Sequence, residues 1–138
     1  MIPAKDGFKL DIVLSHTVRD PATFTEALLL EPDFAWMKDA RMGTQVVMQS
    51  ARWHARLVSG VGEEDYKGAL EKAASFLNTT AQFFRQFRDE DGMAELVMNY
   101  AIEPDEGKVL EVSYSPVLLR LVVDLGIWLR VQAWNGEF

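Results

Sequence analysis

Between Tyr66 and Phe87 the apolar positions recur at helical spacing. Tyr66, Ala69, Leu70, Ala73, Phe76, Leu77, Phe83, Phe84 and Phe87 fall on one side of a single long helix, with Thr80 in the same row. A stripe this wide and this aromatic is the mark of a core-facing helix, so it needs a second layer to lie against. Glu63, Glu64 and Asp65 open the helix, where its positive end favours acids.

The second layer is written in period-2 runs. Phe8, Leu10, Ile12 and Leu14 alternate with Lys9, Asp11, Val13 and Ser15. Trp53, Ala55 and Leu57 alternate with Arg52, His54 and Arg56; Leu96, Met98, Tyr100 and Ile102 alternate with Glu95, Val97, Asn99 and Ala101. Ile127, Leu129, Val131 and Ala133 alternate with Trp128, Arg130, Gln132 and Trp134. Shorter strands are expected over residues 44–48 and 109–114. Asp20-Pro21 and Ser115-Pro116 each read as a cap followed by proline at the first helical position. The first of these helices is expected to stop before Pro32, because the residue before proline avoids helical geometry. Gly126 closes the second as its C′ residue. Glu31-Pro32-Asp33 is then a turn, and Phe34, Trp36 and Lys38 share one side of an extended segment. The order β-α-β-β-α-β, followed by α-β, predicts one α+β domain over residues 1–138. It is a two-layer sandwich related to the ferredoxin-like fold, with helices on one face of a mixed or antiparallel sheet.

Charge narrows the function. The chain of 138 residues carries a net charge of −7. Residues 1–60 hold seven basic and seven acidic side chains, whereas residues 61–138 hold seven and fourteen. So acidic a balance argues against nucleic acid and against an anionic membrane. The acids cluster at Glu63-Glu64-Asp65, at Asp89-Glu90-Asp91 and over residues 103–106, as solvated turns do. There is no cysteine, which excludes disulfides, thiolate metal sites and cysteine nucleophiles and fits a cytoplasmic location. The start, MIPAKDG, lacks a signal pattern, and no apolar run reaches the roughly 20 residues of a membrane span.

Catalytic and cofactor motifs are missing. Gly60-Val61-Gly62 lacks the remaining glycine and the lysine of a phosphate loop, so no cofactor is expected. His16 and His54 have no histidine at ligand spacing, so no metal site is expected either. No serine stands in a Gly-x-Ser-x-Gly elbow. What remains is a surface. Residues 40–62 contain no Asp or Glu but hold Arg41, Arg52 and Arg56. Arg52, His54 and Arg56 project from one face of their strand, and Trp128, Arg130, Gln132 and Trp134 from one face of theirs. If helices cover the aliphatic side, this other face is open, with the tryptophan and arginine content of an interface centre.

The segments LLLEPDFAWMKD, RWHARLVSG and SPVLLRLVVDLGIWLRVQAW, with the amphipathic helix between, resemble the bacterial family called domain of unknown function 4279. The resemblance runs from about Phe8 to Trp134 and is carried by Glu31-Pro32, Trp36 with Lys38, Trp53 and the closing Leu-Gly-Ile-x-Leu. Two positions depart from the family pattern: Asp39 stands in place of a glycine, and Gln132 in place of a frequent acid. The resemblance implies a small stand-alone α+β domain and nothing catalytic. Two functions stay open. One is a non-enzymatic interaction domain that uses the open sheet face, through Trp128, Arg130 and Trp134. Its partner is a second copy of itself, as a homodimer, or another protein; in an immunity-type version the acidic second half neutralises a basic toxin. The other is a sensor or enzyme that meets a small anionic ligand at Arg52, His54 and Arg56, with Trp36 and Lys38 beside them.

Overall fold

The computed structural model describes residues 7–16, 19–38, 41–42, 46–47, 50–102 and 112–135. Its elements run β1 (Gly7–His16), α1 (Ala22–Leu28), β2 (Phe34–Trp36), β3 (Arg41–Met42), β4 (Val46–Val47) and β5 (Ala51–Val61). There follow α2 (Gly62–Thr79), α3 (Ala81–Asp89), β6 (Met93–Ile102), α4 (Pro116–Asp124) and β7 (Trp128–Asn135). Five strands form one sheet in the order β2-β5-β1-β6-β7, and β3 pairs with β4 separately. The β1, β2, β5 and β6 neighbours are all antiparallel, which gives the split arrangement of a ferredoxin-like β-α-β-β-α-β core. The last strand, β7, extends this core beside β6 in parallel, after the crossover helix α4. The fold is thus the expected two-layer α+β sandwich with a mixed sheet.

The covered face is where the period-2 aliphatic rows meet the helices. Phe8, Leu10, Ile12, Leu14, Trp53, Leu96, Met98 and Tyr100 are fully buried there. Phe24 of α1 stands edge-on to Trp53 and to Phe87 of α3, with ring centroids 6.4 and 5.2 Å apart. The Trp53 indole N–H donates to Thr25 Oγ1 at 3.0 Å, so its one polar atom costs nothing by being buried. Tyr66 and Tyr100 join hydroxyls at 3.0 Å, and Tyr66 also donates to the Ser113 carbonyl. Burial pushes the Tyr66 hydroxyl up to about 12, the Tyr100 hydrogen bond opposing that rise, and burial raises Tyr100 as well.

Several expectations need correction. The long helix is two helices, broken at Thr80, whose φ of −102° and ψ of 14° leave the helical region. The hydroxyls of Thr79 and Thr80 donate back to the carbonyls of Ser75 and Phe76, a contact that bends helices. Helix α1 stops before Pro32 as expected, but the cause lies earlier: it ends at Leu28 because Leu29 turns left-handed at φ 56°. Asp20 does cap it: its Oδ1 accepts from the Ala22 N–H at 2.9 Å. Residues 112–114 are not a strand, and the rest of the segment expected over 109–114 lies outside the described residues, as do Thr44, Gln45 and Met48 of the segment expected over 44–48. The caps of α4 form as expected. Ser115 Oγ accepts from Leu118 N, and Gly126, at φ 68°, lets the Ile127 N–H reach the Val122 carbonyl.

Candidate interaction surface

Among the described residues, no helix lies over the other face of the five-stranded sheet. Alternation puts Arg52, His54 and Arg56 there from β5, Lys9, Asp11 and Val13 from β1, and Glu95, Val97 and Asn99 from β6. β7 adds Trp128, Arg130, Gln132 and Trp134, and β2 adds Phe34 and Trp36. The expected composition of this face is therefore what the fold presents. Trp128 is 65% exposed and Trp134 52%, so neither tryptophan is covered core. A shallow concavity of about 350 Å³ spans the strands, with Phe34 and Arg56 on one side and Arg130 and Trp134 on the other.

A polar network forms the floor. Asp11 is only 4% exposed, yet no described helix lies over it; side chains of the adjacent strands shield it. Its carboxylate accepts from Arg56 Nε at 3.3 Å, from Asn99 Nδ2 at 3.5 Å, and pairs with His54 Nε2 at 3.0 Å. A bulge makes this set. Leu10 pairs with Val58 but Asp11 with Arg56, so Leu57 is an extra residue and Arg56 comes to stand opposite Asp11. The remaining contacts are diagonal cross-strand pairs. Arg130 reaches Glu95 at 3.1 Å, and the Trp134 indole N–H donates to Asn99 Oδ1 at 3.3 Å. Phe34 stands edge-on to His54, with centroids 4.7 Å apart. The two charge pairs are satisfied on the surface before any partner arrives.

The candidate residues do not all converge. Arg52, His54, Arg56, Arg130 and Trp134 line the concavity, and Trp128 lies on β7 across from Glu95. Trp36 stacks on Phe34 at 5.1 Å but lines a separate hollow of about 460 Å³ between α1 and β2, with Thr25, Glu31, Pro32 and Met37. Lys38 lies past the end of β2, exposed in a turn, and takes no part in the concavity. Asp11, Glu95, Asn99 and Phe34 also belong to the site, although neither net charge nor tryptophan content marks them in the sequence. Their alternation was visible, but the side chains that shield them come from neighbouring strands.

The chemistry of the site centres on its carboxylates, guanidiniums and one imidazole. Its His54 lies between a carboxylate and an aromatic edge, with no hydroxyl or thiol at hydrogen-bond distance among the described residues. One donor atom each from Asp11, Asp33 and His54 lies within 4.8 Å of the others. Two carboxylates and an imidazole are a divalent-ion donor set. Here the Arg56 guanidinium already supplies the positive charge against Asp11. Across the face, Lys9, Arg52, Arg56 and Arg130 stand against Asp11 and Glu95, opposite in sign to the chain as a whole.

These features define a class: a ferredoxin-like α+β sandwich with an added edge strand and an uncovered, concave sheet face. No family model, curated protein or solved structure matches the chain.

Proposed function

We propose that this protein is a non-enzymatic interaction domain that binds a protein partner through the uncovered sheet face. The observation that carries the reading is the pair of half-exposed tryptophans, Trp128 and Trp134, flanking the Arg130–Glu95 ion pair. Large aromatics and an oriented arginine on an open face are the groups that dominate interface energies. The excess of cations on that face selects a partner surface with acidic groups among apolar ones. An immunity-type role against a basic toxin would need another surface. Glu63, Glu64 and Asp65 sit at the start of α2, and Asp89, Glu90 and Asp91 at the end of α3, both in the helix layer. The absence of cysteine and of any described helix long and apolar enough to cross a membrane fits a cytoplasmic setting. The resemblance to domain of unknown function 4279 points the same way, toward a stand-alone domain without catalysis.

The test is affinity capture from a lysate of the source organism with the wild type and with Phe34→Ala/Arg52→Glu. A protein with an acidic surface that the wild type retains and the variant loses supports the reading. Equal recovery by both rejects it.

One observation favours a second reading, a small anionic ligand. Arg52 lines the concavity and makes no ion pair among the described residues. A ligand that binds only the native state raises Tm, by about 2.7 kcal/mol of added stability at a hundred times Kd. A thermal-shift series with anionic metabolites should find it, and Arg52→Ala/Arg56→Ala should abolish the shift.

A further inference from the structure

We infer that β7 is a self-pairing edge, and that two copies of the chain join through it about a twofold axis into one continuous ten-stranded sheet. The inference deepens the proposed reading by naming a second copy as one partner, and it rests on the uncovered face being the binding side. It begins with the two edges that the sheet has among the described residues. At one end β2 contributes only three residues, too short to template another strand. At the other, β7 runs for eight residues beside β6 in unbroken register from Trp128 to Asn135. It has no proline, no lysine, no acid and no bulge, the devices that normally blunt an edge. Its one charge, Arg130, is the single such device it carries, and that charge is already paired with Glu95 at 3.1 Å.

Exposed apolar surface is present on the same strand. Of the eleven large apolar side chains exposed among the described residues, three lie on β7, Trp128, Val131 and Trp134, and three on the crossover helix α4 that leads into it, Val117, Leu119 and Val123, with Val117 lining a hollow against α2. Val131 is 50% exposed although its row faces the helix layer. The apolar surface thus continues on both sides of the strand, as an interface through it requires.

The strand also reads nearly the same in both directions. Centred on Val131, the sequence WLRVQAW sets Trp128 against Trp134, Leu129 against Ala133 and Arg130 against Gln132. In an antiparallel pair about a twofold axis, opposed residues share a face, so only registers centred on a residue are allowed. Centring on Val131 places two Trp128–Trp134 pairs on the uncovered face and no like charges together. Centring on Arg130 would set two guanidiniums face to face. Centring on Gln132 would set Arg130 against Trp134 and leave Trp128 beyond the end of the partner strand. The net charge of −7 does not oppose the contact locally, because no residue of β7 is acidic.

The experiment uses the absence of native cysteine. Solution mass of the wild type should be that of a dimer. Single variants Arg130→Cys, Val131→Cys and Gln132→Cys are then oxidised, and only Val131→Cys should link to itself. Val131→Lys, which puts two charges opposite each other at a position already exposed, should raise the dimer Kd at least about tenfold. Gln132→Glu, which creates two Arg130 pairs across the axis, should lower it by roughly fivefold. A monomeric wild type, self-linking at position 130 or 132, or a dimer indifferent to Val131→Lys would each overturn the inference. A monomer would leave the face reading standing, since its own variants lie on β2 and β5, at the far end of the sheet.

Discussion

The two faces of this sheet both contain buried side chains, but they are buried by different things. On the covered face Leu10, Ile12, Leu14, Trp53, Leu96 and Met98 lose their exposure to a layer of helices. On the uncovered face Asp11, Glu95 and Asn99 lose theirs to the arms of Arg56, Arg130 and Trp134 from adjacent strands. Burial by a layer removes apolar area from water and holds the fold together. Burial by neighbours orients polar groups and fixes the surface they form, while the covering side chains stay half in solvent. The first face should therefore govern stability and the second binding.

The sharpest way to break that division is Trp53→Ala. It empties a fully buried indole site against Phe24 and strands the Thr25 hydroxyl, and should cost about 3–5 kcal/mol in urea unfolding. A cost under about 1 kcal/mol would mean that the helix layer is not the source of stability.

High pH probes the same face. Tyr66 titrates at about 12 when folded against 10.0 when free, so the native state holds its proton more tightly. That contribution is whole below pH 10 and is lost as pH rises through about 12. Tyr100, raised by burial too, acts in the same direction. Unfolding midpoints of the wild type should fall steeply across that window, and Tyr66→Phe should flatten the fall. An identical pH profile for the variant would remove Tyr66 from the account.

Asp11→Ala should cost less than Trp53→Ala, about 1–3 kcal/mol, although Asp11 is buried too. Its partners His54 and Arg56 are partly exposed and can turn to water once released. If instead it proved as damaging as Trp53→Ala, the uncovered face would be a second core.

The division of the faces was largely legible in the sequence, because it follows from side-chain alternation alone. Arg52, His54, Arg56, Trp128, Arg130 and Trp134 could be placed on one side of the sheet without knowing which strands were neighbours. Their contacts could not. Asp11 meets Arg56 only because of the bulge at Leu57, and Arg130 meets Glu95 only because β7 joins the sheet beside β6. Strand order depends on long-range packing that no local pattern encodes. The break at Thr80 was hidden for the opposite reason. The stripe from Tyr66 to Phe87 keeps its phase across a short irregularity, since both halves lie on the same sheet. Spacing alone puts Trp36 and Lys38 on one side of an extended segment, but β2 stops at Trp36 and releases Lys38 into a turn.

The smallest effect on stability and the largest on association should come from Trp128→Ala/Trp134→Ala. Both indoles are more than half exposed, so their removal should move unfolding by no more than about 0.5 kcal/mol each. Trp134 gives up one hydrogen bond to Asn99, which the exposed rim lets water replace. Self-association should weaken far more, because both cross-axis tryptophan pairs vanish together. Light scattering on the variant beside the wild type separates the outcomes. A folded monomer where the wild type is a dimer ties the uncovered face to the paired edge. A destabilised variant would instead make the two tryptophans part of the core, and the difference between the faces would disappear at β7.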